Sequence, residues 1–210
     1  MAFSITAQAQ SGVHVDNGSN KKKKTQVDFY AFGGANFSSI TGSNSNNNGT
    51  LVGGQVGAGI NVMDFSQILS LRAEAAFSMQ GGKYKGSSGS SYSSSGHTRL
   101  DYINVPIFCR YQNPGGFYGE LGVQPGFLIS AKETYSSGSS NGTNDVKSQM
   151  NGFDFGIPIG AGYRFKNRIG VGFRVVPGVT NIRKNESTSG YSYNYKEHNL
   201  VATVRASYSF

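Results

Sequence analysis

Few side chains here have a type and spacing that could do chemistry. The three histidines, His14, His97 and His198, stand far apart and lack the close spacing of metal ligands. A single cysteine, Cys109, excludes a disulfide framework and a multi-cysteine zinc or iron–sulfur site. It lies in the apolar phase of its segment and reads as a small hydrophobe. The pairs Gly57 and Gly59, Gly160 and Gly162, and Gly170 and Gly172 are not phosphate loops, because no helical pattern follows them. His198, with Glu197 beside it and serines in the adjoining loop, has the residue types of a base, an orienting carboxylate and a nucleophile. Nothing in the sequence holds such a set together. The expectation is a protein with no enzymatic activity, no metal and no cofactor.

The remaining candidates are nine charges: Asp28, Arg72, Glu74, Arg110, Glu120, Asp154, Arg164, Arg174 and Arg205. Each falls in the polar phase of a segment that alternates with period two, and the opposite phase of those segments carries no charge. In the clearest case Leu69, Leu71, Ala73, Ala75, Phe77 and Met79 oppose Ser70, Arg72, Glu74, Ser78 and Gln80. Eight such segments occur, over 27–38, 52–62, 69–80, 102–111, 117–130, 153–165, 169–180 and 199–210.

Their connections alternate in length. Short links fall at 64–67, 112–116 and 166–168, and long Ser/Gly/Asn-rich links at 39–50, 81–98, 132–149 and 183–197. Strands of about ten residues, even in number and joined by alternately short and long turns, describe a transmembrane β-barrel. The fold class is all-β, an eight-stranded antiparallel up-and-down barrel. A soluble barrel would put its apolar face inside and its charges outside; the reverse arrangement is expected here. Aromatics gather at segment ends, with Phe29, Tyr111, Phe117, Tyr163, Phe165, Tyr208 and Phe210 towards the short turns. Phe37, Phe77 and Phe153 lie towards the long links, so the two sets suit interfacial girdles. Pro106, Pro125, Pro158 and Pro177 interrupt these segments; bulges are expected at Pro106 and Pro158, and a position near a loop for Pro177.

Composition supports a single folded unit. Charged residues make up only 14% of the 210 residues, aromatics 12%, and 30 residues are glycine. The net charge of +8 would suggest nucleic acid, but Lys21 to Lys24 supply half of it. No basic patch interleaved with aromatics remains, so nucleic acid is not an expected partner. Ala7-Gln8-Ala9 before Gln10 has the small-residue pattern of a signal-peptidase site, although an ordinary polar N-terminus is the alternative. Residues 1–9 are thus expected as the end of a signal peptide, 10–25 as a polar Lys-rich tail and 26–210 as the barrel.

Several segments resemble the small outer-membrane β-barrel (porin-family) proteins of Bacteroidota, and the architecture is similar to the OmpA and OmpX type. The resemblance is carried by Phe32-Gly33-Gly34-Ala35-Asn36-Phe37-Ser38 and Tyr102-Ile103-Asn104-Val105-Pro106-Ile107. It continues through the segment from Tyr118 to Lys132 and the segment from Asp154 to Tyr163. Asn104 departs from the family, which often has an acidic residue there. Tyr208 and the terminal Phe210 resemble the signal read by the outer-membrane assembly machinery.

The resemblance implies an integral protein of the outer membrane with both termini periplasmic. It carries no catalytic residues, although some small outer-membrane barrels are rim-sited lipid hydrolases. The expected partners are outer-membrane lipid, the assembly machinery and an extracellular ligand at the long links, with the chain monomeric. An eight-stranded barrel is only wide enough for side chains to fill. The five arginines and four carboxylates are therefore expected to pair inside the lumen. A structural or surface-binding barrel is the first reading, and a transport or secretion-associated barrel passing small solutes the alternative.

Overall fold

The computed structural model describes residues 28–42, 49–88, 92–137, 140–188, 191–193 and 196–210. The expected signal remnant and the lysine tail lie outside the described residues. The strands are β1 (Phe29–Gly42), β2 (Gly49–Asp64), β3 (Leu69–Ser88), β4 (Tyr92–Asn104), β5 (Ile107–Gln112), β6 (Phe117–Ser137) and β7 (Ser140–Asp145). They continue as β8 (Phe153–Gly156), β9 (Ile159–Arg164), β10 (Ile169–Pro177), β11 (Glu186–Thr188), β12 (Tyr191–Tyr193) and β13 (Glu197–Ser209).

Eight staves form the wall: β1, β2, β3, β4 with β5, β6, β8 with β9, β10 and β13. Each pairs antiparallel with the next, and β13 returns to pair with β1 from Tyr30 opposite Ser209 to Gly42 opposite Glu197. The ring is closed, so backbone groups find partners on both sides of each stave, as hydrocarbon demands.

Side-chain placement decides between the soluble and membrane forms. Among the described residues thirty large hydrophobic side chains are exposed, from Phe29 and Val52 to Phe117 and Phe210. Arg72, Glu74, Arg110, Glu120, Arg174 and Arg205 are buried. A soluble protein would invert both sets. The outward face is the lipid face.

Inside, a recurrent pairing lets eight strands close around bulky rings. Tyr30 stands opposite Gly59 and Phe32 opposite Gly57, while Phe108 faces Gly122 and Tyr118 faces Gly162. A Cβ at Gly57 would come within 2.7 Å of the Phe32 ring, and one at Gly59 or Gly162 would meet Tyr30 or Tyr118 more closely still. Tyr30, Phe32 and Tyr118 thus lie over the bare backbone of their neighbours, so Gly57, Gly59 and Gly162 are sockets for rings, whereas a Cβ at Gly122 would meet the Phe108 Cβ and the Ile107 carbonyl.

Two expectations differ from the structure. The long links are largely strand: β3 and β4 stay paired out to Ser88 opposite Tyr92, and β6 and β7 out to Ser137 opposite Ser140. A short 3-10 turn, Lys147–Gln149, follows β7, and β11 pairs with β12 within the last link. The described side chains of these paired extensions, such as Lys83, Ser95, Lys132 and Ser136, are polar and exposed, so no apolar row marks one face and period two is invisible in the sequence.

The prolines also behave differently. Strand pairing breaks at Pro106 and Pro158, but the register is unchanged across each gap, so neither is a bulge. Asn104 opposite Gly126 and Ile107 opposite Val123 lie in one register, as do Gln124 opposite Gly156 and Leu121 opposite Ile159. A proline lacks only the donor. Its carbonyl still accepts, from Glu74 N to Pro106 at 2.9 Å, Val105 N to Pro125 at 2.9 Å, Gly122 N to Pro158 at 3.1 Å and Ile157 N to Pro177 at 3.1 Å. Pro177 ends β10. The register shifts fall elsewhere, between Thr50 and Gln55, Asn61 and Met63, and Asp101 and Tyr102.

Gly59→Val tests the socket. Its branched side chain must displace the Tyr30 ring, the group nearest to a Cβ there, and overpacking of this kind costs about 1–3 kcal/mol. A lower urea midpoint in vesicles is expected, with a weaker folded band in unboiled SDS gels; an unchanged midpoint would refute the pairing rule.

Candidate functional site

The lumen holds the charged residues because they occupy the inward phase of β3, β5, β6, β10 and β13, whose outward phase is apolar. At its centre is Glu74. Its carboxylate accepts from Arg174 (Nη1 to Oε2, 2.8 Å), from both terminal nitrogens of Arg205 (2.9 and 2.6 Å) and from the Tyr30 hydroxyl (2.8 Å). Glu120 accepts from Arg110 at 3.0 Å and from Arg174 Nε at 2.6 Å. Arg174 thus joins the two carboxylates, and three arginines surround two acids in one buried cluster. Bidentate guanidinium–carboxylate pairs of this kind are the strongest side-chain hydrogen bonds available.

The inward-facing aromatics supply the rest of the coordination. Arg110 lies 4.1 Å above the Tyr118 ring centroid, Arg205 4.0 Å above that of Phe32 and Arg174 4.7 Å above that of Phe108. Ring faces carry negative quadrupole charge, so they accommodate the surplus guanidinium.

The nine expected residues therefore divide into three places. Glu74, Glu120, Arg110, Arg174 and Arg205 form the central cluster. Asp28, Arg72 and Arg164 form a second group at the short-turn end, with Asp28 3.1 Å from Arg164 and 3.8 Å from Arg72. Asp154 pairs with no arginine in the described structure and so departs from the expected pairing. Its carboxylate accepts from the Thr180 hydroxyl at 2.6 Å, the Asn199 amide at 2.8 Å and the backbone N–H of Phe155 at 2.9 Å. Neutral donors satisfy it because β8 sits nearer the long-hairpin end, beyond the arginines.

Above Asp154 the lumen changes character. Leu100, Tyr102, Leu128, Ala131, Val146, Met150 and Ile182 form a buried apolar cluster with Ile40 packed against it. The sequence reading missed this tier. Leu100 and Ile182 fall within or beside links that read as loops, and a shift of register puts both Leu128 and Ala131 inside. At the opposite end a cavity of about 640 Å³ opens between the short turns, lined by Asp28, Asn61, Asp64, Arg72, Arg164 and Arg168 among others. It ends below the central cluster.

The other chemical candidates are otherwise engaged. His198 Nδ1 lies 2.8 Å from the Thr180 carbonyl, and Glu197 is 3.5 Å from Arg183. Neither contact orients a base toward a serine. Among the described residues no group of three His, Cys, Asp or Glu could hold a metal ion. Tyr208 and Phe210 are both exposed on the lipid face with ring centroids 5.5 Å apart, and Phe210 N donates to the Phe29 carbonyl at 2.9 Å. Tyr191 and Tyr193 fall on β12, whose side chains lie outside the described set, as does Tyr195.

Removing the central carboxylate separates these groups by energy. Glu74→Gln leaves the buried Arg205 guanidinium without its charge partner and Arg174 with Glu120 alone, and should cost about 3–5 kcal/mol in urea unfolding from vesicles. Arg164→Gln, at a half-exposed pair, should cost less than about 1 kcal/mol. Equal effects would show that the cluster is not the lumen's main tie.

A family model described as "Outer membrane protein beta-barrel domain" matches residues 8–184. No curated protein matches the chain significantly. Solved structures that are similar include Ail, the attachment invasion locus protein of Yersinia pestis, at 13% identity and a TM-score of 0.43, covering 89% of this chain and all of that one. Neisserial surface protein A is 12% identical with a TM-score of 0.48, covering 87% of this chain and 97% of that one. OprG of Pseudomonas aeruginosa is 15% identical with a TM-score of 0.38, covering 87% of this chain and 95% of that one. With lipid outside, charge inside and a family model spanning most of the chain, the protein belongs to the outer membrane protein beta-barrel domain family and resides in the cell outer membrane.

Proposed function

We propose that this protein is a non-conducting, non-catalytic barrel that anchors binding hairpins at the outer surface. The observation that carries the reading is the double obstruction of the lumen. The Glu74 cluster fills its middle and the apolar cluster around Leu100 and Ile182 fills its outer half. A hydrated solute passing inward would have to part buried ion pairs and then cross an apolar tier, and each step is costly. The transport reading has no comparable support.

What remains for function is the outward extension of β3, β4, β6 and β7. Tyr84, Gly96, Tyr135 and Gly142 form one cross-strand row, with each tyrosine lying over the neighbouring glycine. Burial, and then a hydrogen bond to Glu133, pushes the Tyr84 hydroxyl up to about 12, so it remains a neutral donor at any physiological pH. Fixed tyrosines among serine, glycine and asparagine make adaptable recognition surfaces. The partners of this reading are outer-membrane lipid, an extracellular ligand at the hairpins, and the assembly machinery that recognises Tyr208 and Phe210, with the chain acting as a monomer.

In planar bilayers the purified protein should give no steady single-channel conductance; reproducible channels would overturn the reading. Deleting Phe210 should slow assembly into vesicles that carry the assembly machinery, while spontaneous refolding in detergent is little changed. Equal rates with and without Phe210 in the machinery-dependent assay would remove the terminal aromatic from that role.

A further inference from the structure

The hairpins carry a second face. Odd-numbered residues of β3 and β4 continue the outward face of Met79 and Ile103. The register shift between Asp101 and Tyr102 turns the even-numbered residues of β6 outward beyond Ile129, because Leu128 and Ala131 both point inward. Two rows result on the outer side of the sheet. The first runs Gly81, Arg99, Lys132, Asp145, and the second Lys83, His97, Thr134, Thr143.

Arg99 and Lys132 are direct cross-strand partners, a placement that like charges disfavour without an anion between them. Asp101 bonds Arg99 at 2.8 Å and Asp145 stands opposite Lys132. In the second row carboxylates are absent. A groove of about 310 Å³ is lined there by Lys83, Ser95, His97, Thr134 and Ser136, together with Tyr84, Gly96 and Tyr135. Its polar side chains are an ammonium, an imidazole and hydroxyls, all able to donate.

Height selects the ligand. Strands rise about 3.3 Å per residue and tilt by about 40° in such barrels. The Arg99–Lys132 row then lies roughly 10 Å above the lipid-facing pair Ile103–Phe127, and the Lys83–His97 row roughly 15 Å above it. The polar layer of an ordinary phospholipid leaflet is only about 5–7 Å deep. Both rows therefore stand above that layer, the first close enough for the long Arg99 and Lys132 side chains to bend back to a phosphate at its surface and the second too far. We infer that this face binds the headgroup of an outer-leaflet glycolipid bearing more than one phosphate, with Arg99 and Lys132 taking the lower phosphate. Lys83, His97 and the hydroxyls of Ser95, Thr134 and Ser136 take the sugar and upper phosphate. The inference deepens the reading of the hairpins as a binding surface, and it fails separately from lumen closure, because lipid retention is independent of conductance.

The test uses the full chain in detergent, incubated with diphosphoryl lipid A, monophosphoryl lipid A or phosphatidylcholine, with bound lipids counted by native mass spectrometry. Diphosphoryl lipid A should be retained best and phosphatidylcholine least. Lys83→Gln, Arg99→Gln and Lys132→Gln together should lower diphosphoryl lipid A retention at least about tenfold, since each removes a cation that faces the phosphates. Heat-modifiable gel mobility verifies folding of the variant. Should it fail to fold, wild-type retention against rising salt decides instead: a steep loss supports the site and salt independence refutes it. Equal retention by the folded variant refutes the site. Full displacement of lipid by equimolar inorganic phosphate would show a free-anion site in place of a lipid one.

Discussion

Hydrocarbon offers no partner to a backbone N–H or carbonyl, and every feature of this molecule answers to that constraint. It requires β13 to return to β1, because an open edge would leave a row of unpaired groups in lipid. It also makes the four prolines informative. Each gives up one donor but keeps its carbonyl bonded, and the register passes across Pro106 and Pro158 unchanged. Closure with eight staves then dictates a narrow interior, so whatever points inward must fill it.

The filling has two chemistries. In the middle, burial of charge is tolerable only because Glu74 and Glu120 share three arginines and because aromatic faces lie over the surplus cations. Nearer the outer surface the same inward phase carries Leu100, Tyr102, Leu128 and Ile182, which exclude water by packing. One cluster ties strands together across the barrel by directional bonds; the other closes it by shape. The glycines opposite Tyr30, Phe32 and Tyr118 make room for the rings around the charged cluster, since each ring lies where a neighbour's side chain would otherwise stand.

Beyond the membrane the wall continues upward. The sheet of β3, β4, β6 and β7 has one face with Tyr84 and Tyr135 and another with Lys83, Arg99 and Lys132. A single extra residue in β6, at the shift beside Asp101, sets which of its side chains join which face. A small local irregularity thereby decides what the protein offers to the leaflet and what it offers to the exterior.

Sequence alone determined the staves of the barrel and which residues share a face, because a segment with different surroundings on its two sides must alternate strictly. Val52, Val56, Ala58 and Ile60 against Gly53, Gln55, Gly57 and Gly59 are one such strand, and the exposed apolar set with the buried charges decided that the apolar face meets lipid. Where no apolar row marks one face, as along 82–88 and 132–137, alternation carries no signal, and strands were indistinguishable from loops. Which carboxylate meets which arginine was likewise beyond the sequence. Pairing depends on register and stagger around the ring, and these bring Glu74 to Arg174 and Arg205 while leaving Asp154 to Thr180 and Asn199. Period two is a property of each strand by itself; the partners of a side chain belong to the closed ring.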